Sequence, residues 1–344
     1  MVAINEQVIN LEEKDLENFK PEVGKIYSGL PNEQYHSYSD YESSTTVKEL
    51  NISLKHREDM EFKHTDAMAM GSLFHDSMEA LRTGQDLSEI SAVIDNYGRS
   101  KKSDAADFIL KYYPIVHGED IYEMDYEEMT SKATSRSQLH DECEDLEKRF
   151  LAGKQKVTTE NFELSELMVE AIKNHPEAGK IIKLHGSPEL SFFTEVEINI
   201  DGEMIPIKIR VRPDELIEFE DCILLIDWKS IGEYATDKNI RKSLWNYRYD
   251  IQAAMYQDAL IKFTDKPIYF RFVFAESKKP AKEKVRVVQL PEWDMEAGWK
   301  DYRAALTKKA ELIHNPSIWK GFDIPEDGID FIQMRSEPYG DKQW

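Results

Sequence analysis

Apolar and polar positions along the chain follow two different periods. Residues 66–82 (DAMAMGSLFHDSMEALR) place apolar side chains at helical spacing, which predicts an amphipathic helix. Residues 103–113 read as a second helix with Ser103 as a candidate N-cap, and helix returns over 161–184. The period then drops to two. Residues 190–200 alternate in part, with Val196, Ile198 and Ile200 on one face, and Asp201-Gly202 is the two-residue turn of a β-hairpin. Beyond it Ile205, Ile207, Ile209 and Val211 alternate with Pro206, Lys208, Arg210 and Arg212. Residues 222–229 (CILLIDWK) predict a third strand that carries Ile223, Leu225, Asp227 and Lys229 on one face. A long helix over 239–263, strands over 268–275 and 284–290, and a last helix over 293–314 complete the pattern. Helix, three strands, helix and strand is the order of an α/β sandwich with a central mixed sheet flanked by helices.

The chain has 344 residues and shows no repeat and no Gly/Ser or Pro linker, so one continuous domain is expected over 1–344. Within it lie an N-terminal entry segment (1–65) that is rich in aromatic and turn residues over 24–42, a helical region (66–185) with an acidic insertion near 118–150, a core (186–315) and an irregular tail (316–344). No apolar run reaches the roughly 18 residues of a membrane span, and the acidic N-terminus has no signal-peptide core. Cys143 and Cys222 alone cannot make a disulfide framework or a four-cysteine metal centre, which fits a reducing cytoplasm. The net charge of −22 argues against a general polyanion binder but leaves room for a nuclease. Carboxylates can be metal ligands, and DNA contact needs only a local basic groove. Residues 229–248 hold five basic and two acidic side chains, and 278–286 hold five and one. Such runs also read simply as solvated faces.

Candidate chemistry gathers at strand ends. Asp214 follows Arg212-Pro213, and Asp227 and Lys229 close the apolar strand at 222–229. Two hard oxygen ligands can hold Mg²⁺, which polarises a phosphate and activates water, and a lysine can stabilise the growing charge. Asp214, after a proline, also reads as a turn former. Asp227 sits in an apolar run, where an unpaired charge costs several kcal/mol. In the following helix Gln252 and Tyr256 are spaced i, i+4, with Arg248 one turn earlier, a polar stripe suited to a cleft wall or to an ordinary helix surface. His75 lies among Leu73, Phe74 and Met78, so it reads as a core histidine or as a metal ligand. Gly71, which costs about 1 kcal/mol in a helix interior, points to the close approach of another element. Ser43, Ser44, Thr45 and Thr46 precede Val47 as a helix cap, or as a phosphate cradle at a helix start.

Together the segments PNEQYHSYSDYESSTTVKEL, AMGSLFH, RVRPDEL, LLIDWKS and YRYDIQAAMY, in this order, resemble the RecE-type (exonuclease VIII-like) 5′–3′ exonucleases of phages and prophages. These belong to the PD-(D/E)XK, or restriction-endonuclease-like, nuclease superfamily. The resemblance implies that Asp214, Asp227 and His75 are metal ligands, with the Trp228 carbonyl as a further one, and that Lys229 is the catalytic lysine. It makes Gln252 and Tyr256 the supporting helix motif and compares Ser43, Ser44 and Thr45 with a 5′-phosphate receiver. Glu189 stands where relatives can carry another acidic residue, and Arg241 and Arg248 would guide the DNA backbone. The implied activity is Mg²⁺-dependent (Mn²⁺ substituting) 5′-to-3′ resection of linear duplex ends for recombination by strand annealing. The implied partners are double-stranded DNA ends, a RecT-like annealing protein and further copies of the chain in a ring, in the cytoplasm of a bacterial host and with no membrane. Rival readings are an endonuclease or repair-complex nuclease module, and a catalytically silent acidic DNA-binding or DNA-mimic protein.

Overall fold

A computed structural model of the chain describes residues 3–52, 66–89, 91–95, 102–118, 136–152, 154–278 and 285–316. The tail beyond 316, residues 53–65 of the entry segment, 119–135 of the acidic insertion and 279–284 of the second basic run lie outside the described residues. The N-terminal part contains strands β1 (Val8–Asn10) and β2 (Lys25–Ser28) and helices α1 (Asn32–Ser37) and α2 (Ser44–Ile52). Next come α3 (Asp66–Thr83), β3 (Ser91–Val93), α4 (Lys102–His117), α5 (Arg136–Leu151), β4 (Gln155–Val157), α6 (Thr159–Asn174) and α7 (Ala178–Ile182). The rest comprises β5 (Ser187–Pro188), β6 (Ser191–Ile200), β7 (Glu203–Val211), β8 (Glu215–Glu218), β9 (Ile223–Ile231), α8 (Asp237–Asn246), α9 (Tyr249–Leu260), β10 (Ile268–Glu276), β11 (Val285–Val288) and α10 (Glu292–His314).

The hairpin forms as its turn dictates, with Ile200 paired to Glu203 and Asp201-Gly202 between them, both at positive φ. It does not join the strands that follow. β6 and β7 belong to a four-stranded sheet of order β1-β2-β6-β7, whereas Asp227 and Lys229 lie in a five-stranded sheet of order β11-β10-β9-β8-β5. The strands expected in one mixed sheet therefore lie in two, and among the described residues β3 and β4 pair as a third, two-stranded sheet. The second is itself mixed, since β9 and β10 run parallel and its other pairs antiparallel. The cause is local: Pro213 has no N–H for a ladder, the chain bends at Asp214, and a new strand starts at Glu215. That strand, β8, was not expected, because its four residues are too short for a period to show.

The alternation of β9 is as expected and decides what each face meets. Ile223 and Leu225 pack with Ile251, Met255 and Ala259 of α9 and with Tyr302 and Leu306 of α10. Leu224, Ile226 and Trp228 pack on the opposite face with Met70, Leu73, Phe74 and Met78 of α3 and Met168 and Ile172 of α6. Each such side chain contributes about 1.5–3 kcal/mol when fully buried. α9 and α10 also pack on Val196, Ile198, Ile207 and Ile209 of the hairpin, so they form a helical layer between the two sheets.

Two long helices of the sequence reading are broken. The one over 161–184 stops at Asn174, because Pro176 cannot continue it, and resumes as α7. The one over 239–263 is α8 and α9, parted at Arg248, whose φ of 48° is left-handed. In the acidic insertion, α5 packs on α4 around Phe108, Ile109, Tyr112, Leu139, Cys143 and Leu146. Among the described residues no helix is long and apolar enough to cross a membrane.

Candidate active site

β9 carries the centre of the site. Asp227 is 2% exposed, where a carboxylate needs partners. Its Oδ1 accepts a hydrogen bond from Gln252 Nε2 at 2.6 Å, and its Oδ2 faces Lys229 Nζ at 2.5 Å. Lys229 is two residues on and so on the same strand face. Burial pulls its ammonium down, but Asp227, Tyr249 and Asp214 outweigh that and hold it above the ordinary lysine value.

Asp214 reaches the same place from the bend before β8. Its Oδ2 accepts from the Trp228 backbone N–H at 2.5 Å, and His75 Nδ1 lies 3.3 Å from the same oxygen. The β8 ladder stops at the Glu215–Ile226 pair, which leaves the Trp228 edge of β9 to Asp214. Burial, then Asp227, raises the Asp214 carboxyl well above the usual carboxylate range. Glu189, at a positive φ of 51° between β5 and β6, donates its N–H to the Asp214 carbonyl, and its carboxyl is raised by burial and by Asp214. Arg212 stands 3.8 Å from Glu189 and draws it back.

α3 supplies His75 by close approach. A Cβ on Gly71 would lie 3.4 Å from Ser230 Oγ, in van der Waals contact, so the helix passes close over β9 one turn before the histidine. Burial, and next Lys229, lower His75 to about 4, which leaves the imidazole neutral and able to ligate at neutral pH. At the far end of the helix Arg82 pairs with Glu215, which is fully buried, and donates to the Leu184 carbonyl at 2.7 Å. One turn after His75, Glu79 joins the acidic group, its carboxyl raised by burial and lowered in part by Arg212 and His75. The sequence reading missed Glu79, although its i, i+4 spacing from His75 was the available signal.

The other expected residues divide. Gln252 holds Asp227, and the Tyr256 hydroxyl donates to the Arg212 carbonyl at 3.1 Å, fixing the turn that delivers Asp214. Arg248 instead pairs with Asp250 and Asp301, and Arg241 stands exposed on α8. Ser43 and Thr46 cap α2 reciprocally: the Ser43 N–H donates to Thr46 Oγ1 at 2.7 Å and the Thr46 N–H to Ser43 Oγ at 3.3 Å. The capping alternative is thus the one these two hydroxyls follow, while Ser44 is half-buried and Thr45 exposed. In the basic runs Lys242 pairs with Glu233 and Arg286 with Asp237. Arg212 packs 4.0 Å above the Tyr35 ring and donates to Leu30 O and Asn32 Oδ1, tying the entry segment to the site.

Among the described residues no three His, Cys, Asp or Glu side chains form a ready-made metal cage. The donor chemistry nevertheless fits a divalent cation. The Asp214 and Glu189 carboxyls are raised in part by their acidic neighbours, Asp227 among them, a repulsion that a cation relieves, and a neutral imidazole lies 3.3 Å from Asp214.

The family model described as a PDDEXK-like domain of unknown function (DUF3799) matches residues 37–317. No curated protein matches the chain. A crystal structure named "Putative exonuclease" from Eubacterium rectale is 13% identical, covers 90% of this chain and 97% of its own, and gives a TM-score of 0.47. A second, named SSO0001, is 17% identical over 42% of this chain and 66% of its own, with a TM-score of 0.24. At these values neither structural likeness bears on activity.

Proposed function

The chain belongs to the PDDEXK-like domain family, and on that footing we propose that it is a metal-dependent nuclease acting on linear duplex DNA. The observation that carries the reading is the β9 edge. Asp227 and Lys229 emerge on one strand face, Asp214 is clamped to the next backbone N–H, and Gln252 orients the carboxylate from behind. Asp214, Asp227 and His75 would hold Mg²⁺ or Mn²⁺, with the Trp228 carbonyl and Glu189 as further oxygen donors. A strand residue directs its N–H and C=O to the same side, so the carbonyl leaves β9 toward Asp214. A bound cation supplies Lewis-acid polarisation of the phosphate and a lowered pKa for the attacking water.

The protein's own residues do the rest. Lys229, held as an ammonium, meets the negative charge that builds on the phosphate oxygens. Neutral His75 keeps Asp214 in place without adding a competing charge. Tyr256 fixes the Arg212–Pro213 turn, and the closed apolar clusters on both faces of β9 keep the strand from shifting.

The finer reading is exonucleolytic 5′-to-3′ resection that leaves 3′ single strands for an annealing protein, performed by a ring of copies in a bacterial cytoplasm. It is supported by the order of the five sequence segments. Digestion in Mg²⁺ of linear duplex labelled at either end, with and without 5′-phosphate, beside a closed circle, tests it. Loss of the 5′ label first, with the circle intact, is the expected result. Loss of the 3′ label first contradicts the polarity, and cutting of the circle makes the protein an endonuclease. No cleavage in Mg²⁺ or Mn²⁺ contradicts nuclease activity itself and leaves the DNA-binding or DNA-mimic alternative.

A further inference from the structure

Helix α2 brings to the site a side chain that the scheme above leaves unused. Lys48 is half-buried, and among the described residues it makes neither an ion pair nor a hydrogen bond. Its Nζ lies 5.4 Å from the centroid of the Tyr249 ring, and Lys229 Nζ lies 5.0 Å from the same centroid. Other half-buried lysines have a carboxylate each: Lys266 has Glu218, and Lys309 has Glu42. Lys48 has instead a second ammonium, that of Lys229, near the same aromatic ring. The nearby acids are already engaged, Asp227 by Lys229 and Gln252, and Asp250 by Arg248.

An ammonium withdrawn from water without a counter-ion is costly, and attraction to a ring face offsets only part of that cost. Burial, then the Lys229 charge, accordingly lower Lys48 to about 7, with Asp227 and Asp250 pulling the other way. Tyr249 cannot serve as counter-ion, since burial pushes its hydroxyl up to about 12. What the position lacks is an anion supplied from outside.

We propose that Lys48 is a phosphate-binding residue, which receives a phosphodiester of the same strand whose scissile phosphate lies at Lys229. Both ammonium groups lie within 5.4 Å of the Tyr249 ring centroid, and the reciprocal cap of Ser43 and Thr46 fixes the helix that carries Lys48. The inference rests on the nuclease reading and extends it to the entry segment.

The test compares the full-length wild type with Lys48→Met and Lys48→Arg. It measures binding of a short linear duplex in Ca²⁺, cleavage in Mg²⁺, and thermal melting. Lys48→Met is expected to weaken binding about tenfold, as for one charged hydrogen bond. It should raise KM more than it lowers kcat, and flatten the slope of log K against log salt by about 0.9, one phosphate contact. Lys48→Arg should restore most of each. Melting of Lys48→Met should be no lower than wild type, because an unpaired buried charge has gone. Wild-type KM and salt slope in Lys48→Met, with wild type cleaving normally, overturn the Lys48 inference and leave the nuclease reading standing. A Met variant that melts well below wild type marks a structural lysine and also overturns it. Wild-type protein that neither binds nor cleaves DNA overturns both.

Discussion

Asp227 and Lys229 are two residues apart on one strand face, so the backbone itself places the acid beside the ammonium, and Gln252 then fixes which way the carboxylate points. From this geometry Lys229→Ala should lower kcat by about 10²–10³-fold, the usual effect of losing one charge-stabilising donor at a transition state. Gln252→Ala should cost about 10–100-fold in metal affinity or activity, because it frees a ligand to rotate. Initial rates on linear duplex across a Mg²⁺ titration separate the two, since only the glutamine variant should regain activity at high metal. These residues were legible in the sequence because strand and helix periods are short-range. The partners of Arg248 were not, and the i, i+4 spacing of Glu79 from His75 marked only a shared helix face. Whether a polar side chain on a helix faces a cleft or an ion-pair partner depends on which element packs there, and Asp301, which takes Arg248, is 53 residues away.

At the scale of elements, the site depends on how α3 is seated. Gly71 faces Ser230 of β9, where little room remains for a larger side chain, and the buried Arg82–Glu215 pair anchors the other end of α3 to β8. Gly71→Leu should lift the helix, withdraw His75 from Asp214 and lower cleavage at least tenfold, with an overpacking cost of about 1–3 kcal/mol in urea denaturation. Arg82→Ala leaves Glu215 buried and unpaired and should cost about 3–5 kcal/mol. Burial pushes the Glu215 carboxyl up to about 7 although Arg82 draws it down. A raised folded-state value means that the folded protein holds this proton more tightly than the unfolded chain. The corresponding stability is fully present below about pH 4.5 and is lost as pH rises through about 7. The stability of wild type relative to Glu215→Gln, measured in urea, should therefore fall between pH 5 and pH 8. The sequence showed Gly71 as an anomaly in a helix and so showed that something comes close. It did not show β8, because a four-residue strand carries too little pattern, nor the αL break at Arg248 that divides one apparent helix.

At the scale of the molecule, the two larger sheets enclose a helical layer, and β9 is covered on both faces by separate apolar clusters. The alternation of Ile223 to Lys229 made the strand and its polar end readable. The assignment of the hairpin and β9 to different sheets was not readable, because strand partnership is a long-range choice that alternation leaves open. The net charge of −22 also takes on a position-dependent meaning, since many carboxylates pair internally or gather at the β9 edge. The central claim is that this edge is a hydrolytic metal site. It is tested most directly by the Mg²⁺-dependent degradation of linear duplex DNA by wild type and Asp227→Asn, with calorimetric Mn²⁺ binding measured on both. Degradation and Mn²⁺ binding in wild type, both lost in a folded Asp227→Asn protein, is the predicted result. Asp227→Asn that degrades the duplex at the wild-type rate and binds Mn²⁺ as before would contradict the account.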